Sequence, residues 1–279
     1  MRTQEARLPE FNKPPVVEVA LSIQFDPVEG LGAPQLGLLW SEFRADFPRT
    51  EEQPPLEPDF ERFDSEVVVG PSVRIESFTV PPVPRLWFLN EAGTELIQVQ
   101  QTRFISNWRR QDDQMTYPRY EYVKKAFADR FAVFQRFVER ESLGKIAPNQ
   151  CEVTYVNHVG LENGKDRRAK VEDVLAVWRP EYTDAFLHEP EDVNVGIRYV
   201  IRDSTAKPVG RLHLRLEPVI RKTDRKPMLL LSLAARGQPL SEDLAGAYGF
   251  LDLGHEWLVR SFAALTTQHM HALWGRKRV

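Results

Sequence analysis

Apolar residues recur along the chain with two periods, one typical of strands and the other typical of helices. Between Val16 and Phe25 they alternate with polar residues, which predicts a strand with one buried face. From Pro34 to Phe47 and from Pro118 to Leu143 they step by three or four positions, which predicts amphipathic helices. Between these helices we expect further strands at Val67–Thr79, at Arg85–Leu89 and from Glu95 to about Trp108.

The same order of patterns then begins again. A strand is predicted at Gln150–Val159, and a short helical stripe follows it. That stripe consists of Val171, Val174, Leu175 and Trp178. Later strands are expected at Val193–Ile201, Val209–Ile220 and Met228–Ala235, and a final helix from about Asp252 to Trp274.

Nearly one offset relates the two series of patterns. A shift of 135 positions places Glu121–Ala128 on Glu256–Ala263, and the opening strands agree at a shift of 134. The shift of 135 also places Leu36, Leu39, Trp40 and Phe43 on the second helical stripe. Any two amphipathic helices can be aligned in this way, but here three elements agree.

The sequence therefore predicts an α+β protein built from a tandem duplicated β-α-β-β-β-α unit. Residues 14–146 form the first copy and residues 147–279 the second, after a polar N-terminal arm at residues 1–13. Units of this kind form antiparallel sheets with long helices packed on one face, as in a helix-grip fold.

Composition limits the classes of partner and compartment. The formal net charge of −3 gives no general attraction to nucleic acid, so any such contact has to be regional. The single cysteine, Cys151, excludes an internal disulfide and fits a reducing compartment. We find no secretion signal and no apolar run long enough to span a bilayer, so we expect a soluble, cytoplasmic protein without membrane partners.

Charge is distributed unevenly along the chain. Acids and prolines are concentrated in residues 49–66, which we expect to be a solvated loop, whereas residues 197–236 contain ten Lys or Arg against three acids. Strand alternation predicts one basic sheet face formed by Arg198, Arg202, Arg211, His213 and Arg215. This face could bind phosphates or an acidic protein, including the acidic loop of a second copy, or it could simply be solvated.

A second candidate site lies around the stretch that leads into the long helix. Trp and Arg are typical of binding hot spots, so we expect a groove site formed by Asn107, Trp108, Arg109, Tyr117, Asn157 and His158. The alternative is a Trp108 that packs beneath the following helix.

The common catalytic signatures are absent. The chain has no GxGxxG after a strand, no GxxxxGK[ST], no GxSxG and no HExxH. No two histidines share the spacing of a helical metal site, and His269 is expected to be a packed core residue. We therefore predict neither a metal nor another cofactor, and we name no catalytic residue.

Several strings of residues resemble the sequence of one bacterial family. They are FxKPPVVEVxLxxQF at residues 11–25, QxxRFxxNWRR at 100–110 with YPRYE at 117–121, EVTYVNH at 152–158, and HEWxVxSFxxLT with MHxxWG at 255–275. Together they are similar to an uncharacterised, sporadically distributed family of proteins of about this length. The resemblance implies no activity or substrate, but the sporadic distribution suggests defence or toxin–antitoxin neighbourhoods.

Three functional hypotheses follow. The first is a non-enzymatic component that binds another protein or assembles with a second copy of itself. The second is nucleic-acid binding by the basic face within residues 197–236. The third is an enzyme whose polar groups meet in a groove, with Tyr155, Asn157, His158 and Arg109 as the residues to inspect.

Overall fold

The computed structural model describes residues 7–63, 83–160, 170–179, 185–187, 190–221 and 225–277. The strands are β1 (Val16–Phe25), β2 (Arg49–Gln53), β3 (Arg85–Leu89), β4 (Glu95–Gln100), β5 (Arg103–Arg109), β6 (Pro148–Val159), β7 (Val195–Arg202), β8 (Pro208–Ile220) and β9 (Pro227–Gly237). The helices are α1 (Ala33–Phe43), α2 (Tyr120–Arg140), α3 (Val171–Val174), α4 (Leu244–Leu265) and α5 (Gln268–Leu273).

The described strands form one nine-stranded antiparallel sheet. Its order is β2-β3-β4-β5-β1-β6-β9-β8-β7, so the first strand of each predicted unit lies at the centre. There β1 pairs with β6, and Ala20 lies directly opposite Thr154. The prediction of an α+β protein with antiparallel strands is confirmed.

Alternation along the strands separates an apolar side of the sheet from a polar side. On the apolar side, Leu21 lies between Ser106 of β5 and Val153 of β6. Ser106 accepts a 2.7 Å hydrogen bond from Arg130 of α2, and Val153 lies beside Gly254 of α4. We call this the helix side, and the opposite side the polar side.

The core beneath the first half of the sheet is rich in phenylalanine. The ring of Phe104 on β5 lies 5.3 to 5.9 Å from three rings of α2. Those rings belong to Phe127, Phe131 and Phe134, and all of them are fully buried. The four-residue and three-residue steps that predicted this helix therefore mark its buried stripe.

Several predicted boundaries are wrong for local reasons. The expected strand from Glu95 to about Trp108 is two strands, because a turn at residues 101–102 reverses the chain. The acidic region expected to be a loop begins with β2, which pairs with β3 at the sheet edge. The strand expected at Val67–Thr79 lies outside the described residues.

The end of the chain also differs from expectation. The last helix starts at Leu244, where Asp243 accepts a 2.9 Å hydrogen bond from the backbone of Gly246. It stops at Leu265, and α5 restarts after Thr267 caps its first turn. This break shifts the helical phase, so His269 is exposed and His271 is buried, contrary to the expectation for His269.

Membrane spans were sought among the same helices. Within the described part of the chain, none combines the length and apolar character needed to cross a bilayer.

Two glycines provide a matched test of the packing. A Cβ on Gly210 would lie 2.5 Å from the Arg236 carbonyl and 2.8 Å from the Phe250 ring, whereas a Cβ on Gly37 of α1 meets nothing within 4 Å. We expect Gly210→Ala to lower the free energy of unfolding by about 1–3 kcal/mol. Gly37→Ala should raise it by about 0.5–1 kcal/mol, because alanine favours a helix. Urea unfolding measures both values, and a stable Gly210→Ala protein would contradict this packing.

Candidate functional site

Strand register places the predicted basic face on the polar side of the sheet. Arg198 of β7 lies directly opposite His213 of β8, and Arg211 and Arg215 share the parity of His213. Arg198 and Arg215 are exposed, whereas Arg211 and His213 are half-buried. Arg202 is also exposed, but its Nη1 donates to the carbonyl of Ala206 at 2.8 Å, within the turn that follows β7.

The half-buried pair is covered by the chain's own acidic segment. Residues 54–63, which we call the acidic strap, follow β2 and cross the polar side from β4 to β8. Glu61 bridges the basic pair: its Oε2 accepts from Arg211 at 2.5 Å, and its Oε1 lies 2.6 Å from His213 Nε2. The prediction of a solvated loop is therefore wrong for Glu61, which is only 8% exposed.

The electrostatic environment of Glu61 favours its charged form. Burial raises the pKa of this carboxyl, but hydrogen bonds from His213 and Arg211 and their charges outweigh that effect. The pKa of Glu61 consequently lies below its usual value. A carboxylate is held here as a charged hydrogen-bond acceptor, which is the state that an acidic ligand would present.

Other strap contacts are spread over the middle of the sheet. The amide and carbonyl of Leu56 bond the side chain of Gln100 at 2.9 and 2.8 Å, and the amide of Asp59 donates to Gln24 at 3.0 Å. The Asp59 carboxylate also pairs with Arg236 of β9. The strap thus joins strands from both halves of the sheet through polar contacts.

Near the strap, the polar side also holds buried donors for which the described part of the chain provides no acceptor. Among the described residues, nothing accepts from Arg85 Nε, Trp87 Nε1 or Arg103 Nε. Burial lowers the pKa of Arg85 and of Arg103, since it penalises their charge. These donors favour an acceptor-rich ligand on this side of the sheet.

The structure splits the predicted groove residues between the two sides. Asn107 lies on the polar side, where it accepts from Gln98 at 2.9 Å and donates to Glu18 at 2.6 Å. Arg109 pairs with the same Glu18 at 3.1 Å, and its guanidinium lies over the Trp87 ring. His158 is on the polar side as well. Side chains alternate along a strand, and His158 is an odd number of positions after Val153 of β6, which lies on the helix side.

The remaining groove residues lie on the helix side. Trp108 is buried and packs 5.6 Å from the Tyr117 ring, so the alternative of a packed tryptophan describes it. Tyr117 and Asn157 line a pocket of about 330 Å³ beside α2 and α4. A site that joins Arg109 and His158 to Tyr155 and Asn157 is therefore wrong, because the sheet separates the two pairs.

Two helices meet at that pocket through aromatic rings. Tyr120 at the start of α2 stacks on His255 of α4, with centroids 3.8 Å apart and planes 5° from parallel. The Tyr155 hydroxyl lies 2.8 Å from the Tyr117 hydroxyl and 3.0 Å from His255 Nδ1. Burial is the main cause that lowers the pKa of His255 to about 4, which leaves the ring neutral at pH 7.

The chain was also compared with known protein families, curated proteins and solved structures. No family model, no curated protein and no solved structure matches the chain. The resemblance to a sporadic bacterial family therefore stays a prediction, and the functional argument depends on the residues themselves. Within the described residues, no cluster of three His, Cys, Asp or Glu side chains could hold a metal ion.

Two residues that matter here were not singled out from the sequence. Glu61 was one of many acids in a segment rich in proline, and its partner Arg211 is 150 positions away. His255 lies in the string HEWxV, but the only signal was its offset of 135 from Tyr120, the ring on which it stacks. Periodicity identifies the face of an element, but it does not identify a partner in a distant element.

The lowered pKa of His255 makes stability depend on pH. Its folded pKa lies below the unfolded value of about 6.5, so the stability that depends on a neutral ring is complete above pH 6.5 and is lost as pH falls toward 4. We expect the wild-type protein to lose on the order of 2–3 kcal/mol more than His255→Gln between pH 7 and pH 4.5. Urea unfolding at the two pH values measures the difference.

The control is the same substitution at the exposed His269, which should retain the wild-type pH dependence. Equal pH slopes for wild type and His255→Gln would show that the His255 ring is not buried in its neutral form.

Proposed function

We propose that this protein is a non-enzymatic binding component that recognises an acidic segment of another protein on the polar side of its sheet. The observation that carries the proposal is Glu61, held between Arg211 and His213 by the chain's own strap. In this proposal the strap acts as a ligand in cis, because its carboxylate already occupies the basic pair. A partner segment would take its place.

The surface offers more positive charge than the strap neutralises. Among the described residues, the exposed Arg198 and Arg215 form no ion pair, and both lie beside His213 on the same side of the sheet. A longer acidic segment could reach them, and charge complementarity would guide its encounter. The proposal thus retains the predicted basic face and adds the segment that covers it.

The strap is attached in a way that permits exchange. Glu57, Asp59 and Phe60 are exposed, so Glu61 is its one buried acidic anchor. Prolines at positions 54, 55 and 58 remove backbone donors, which keeps the strap from joining the sheet as another strand. A segment held by few buried groups opens at a low free-energy cost compared with global unfolding.

We also propose that the two halves derive from one duplicated β-α-β-β-β-α unit with a helix-grip-like arrangement. The strand order supports this, because β1-β5-β4-β3 on one side of the centre corresponds to β6-β9-β8-β7 on the other. In each half a glutamate of the central strand lies opposite an arginine of its neighbour. These pairs are Glu18 with Arg109 and Glu152 with Arg236, and both form ion pairs.

A peptide in trans tests the binding function. The probe is a synthetic peptide with the strap sequence, QPPLEPDFERF, from residues 53–63. The wild-type protein should bind it poorly, because a tethered strap competes at an effective concentration of about 1 mM or more. Asp59→Asn/Glu61→Gln weakens the strap in cis, so this variant should bind the peptide at least about tenfold more tightly, measured by calorimetry.

Three controls make the result specific. Glu51→Gln/Glu52→Gln removes the same charge from the exposed β2 strand and should leave weak binding unchanged. Adding Arg211→Ala/His213→Ala to the strap variant should abolish binding, and a QPPLQPNFQRF peptide, which has no carboxylate side chain, should not bind. Binding by none of the proteins, or equal binding by the two charge variants, would contradict the proposal.

Nucleic acid is the competing ligand for the same surface. If a single-stranded oligonucleotide bound the strap variant more tightly than the peptide and its affinity fell steeply with salt, the nucleic-acid hypothesis would replace this one.

A further inference from the structure

We propose that the pocket on the helix side is a binding site for a small, uncharged aromatic molecule that carries an N–H or O–H donor. This site is separate from the surface that binds the strap, since the sheet lies between them. The pocket of about 330 Å³ is lined by residues from the segment at residues 8–14, from β6 and from the helices α2 and α4. Its volume is within the range of small-molecule sites in proteins.

The lining favours an aromatic body. Five of the residues that line the pocket are aromatic: Phe11, Tyr117, Tyr120, Tyr155 and Phe262. Phe11 packs edge-on against Phe262 at 5.3 Å, and Tyr117 packs edge-on against Tyr155 at 5.9 Å. Flat rings set at such angles present both faces and edges to a planar ligand.

One buried atom specifies a donor on that ligand. Asn157 is 1% exposed and lines the pocket, and its Nδ2 donates to the carbonyl of Leu231 at 3.0 Å. Its Oδ1 is buried, and no donor among the described residues reaches it. Because buried acceptors are nearly always satisfied, an N–H or O–H of the ligand is the natural partner.

The charges around the pocket balance, which favours an uncharged ligand. Glu10 and Glu121 contribute two negative charges, and Arg119 and Lys277 contribute two positive ones. Glu10 and Lys277 pair with each other at 2.6 Å, so neither is left to attract an ion. A ligand with a net charge would gain little here.

The backbone at the edge of the pocket is strained. Arg119 has φ of 77° and ψ of 159°, a combination that is essentially confined to glycine. Its Nη2 donates to the carbonyl of Phe11 at 3.1 Å, and both residues line the pocket. Strain of this kind is concentrated at ligand sites, where the surrounding structure fixes the backbone.

Backbone hydrogen bonds join residues 10–13 to residues 274–277 beside the pocket. The backbone amides of Asn12 and Lys13 donate to the carbonyls of Gly275 and Trp274, both at 3.0 Å. The backbone amide of Lys277 donates to the carbonyl of Glu10 at 2.9 Å. The buried ring of Phe11 anchors this connection. The first residues of the described chain therefore form a wall of the site.

Two matched ligand pairs test the proposal. Indole and phenol each carry an aromatic ring and one donor, whereas 1-methylindole and anisole keep the ring and lose the donor. In ligand-observed NMR titrations of the full-length protein, we expect indole and phenol to bind at least about tenfold more tightly than their methylated counterparts. Failure of all four to bind the folded protein would overturn the proposal.

Variants then locate the site. Asn157→Leu removes the acceptor and should bring the ratio of affinities within each pair close to one, while Asn149→Leu, at the far end of the same strand, should leave the ratio unchanged. Val259→Trp fills the pocket from α4 and should abolish binding of all four molecules. Binding that persists in Val259→Trp, or a donor preference that persists in Asn157→Leu, would place the ligands elsewhere and overturn the proposal.

Discussion

The pairing of β1 with β6 is the constraint on which the rest of the structure depends. Residues from Val16 to Phe25 pair with residues from Asn157 back to Pro148, so the two halves share backbone hydrogen bonds at the centre of the sheet. If that edge were exposed, either half would present a row of unpaired amides and carbonyls on its central strand. The apolar residues of both halves accordingly belong to one continuous buried cluster.

A shared sheet gives the protein two unlike surfaces. On the helix side, α2 and α4 meet over the central strands, and the stack of Tyr120 on His255 closes the space between them. The proposed ligand pocket lies beside this stack. On the polar side, the acidic strap runs from the first half to Arg211 of the second half. The surface that it covers therefore includes residues from both halves.

The two strap carboxylates that form ion pairs differ in their exposure to solvent. Glu61 and its two partners are largely removed from solvent, and a buried carboxylate of this kind is stable only while it remains paired. Asp59 is exposed, so its pair with Arg236 contributes less. The proposed exchange of the strap for a partner segment would therefore require the partner to supply a carboxylate in place of Glu61.

Much of the fold could be predicted from the sequence, because the spacing of apolar residues reflects which face of each strand or helix is buried. The strand Val16–Phe25 is confirmed at both ends, since apolar residues recur at every second position from Val17 to Phe25. The site was less predictable. The basic strand and the acidic segment could both be recognised in the sequence. Whether the basic strand binds the acidic segment of a second copy or of its own chain depends on the distance between them in the folded protein, which periodicity does not give. The expectation for His269 failed because the capped break at Thr267 resets the helical phase.

Native-state hydrogen exchange of the β1 and β6 amides tests the central pairing most directly. If the two halves are held together by this pairing, amides in the middle of both strands will exchange with one common free energy, equal to that of global unfolding. Exchange of the β6 amides at a distinctly lower free energy than those of β1, or the reverse, would mean that one half unfolds while the other persists, and would contradict a single sheet stabilised at its centre.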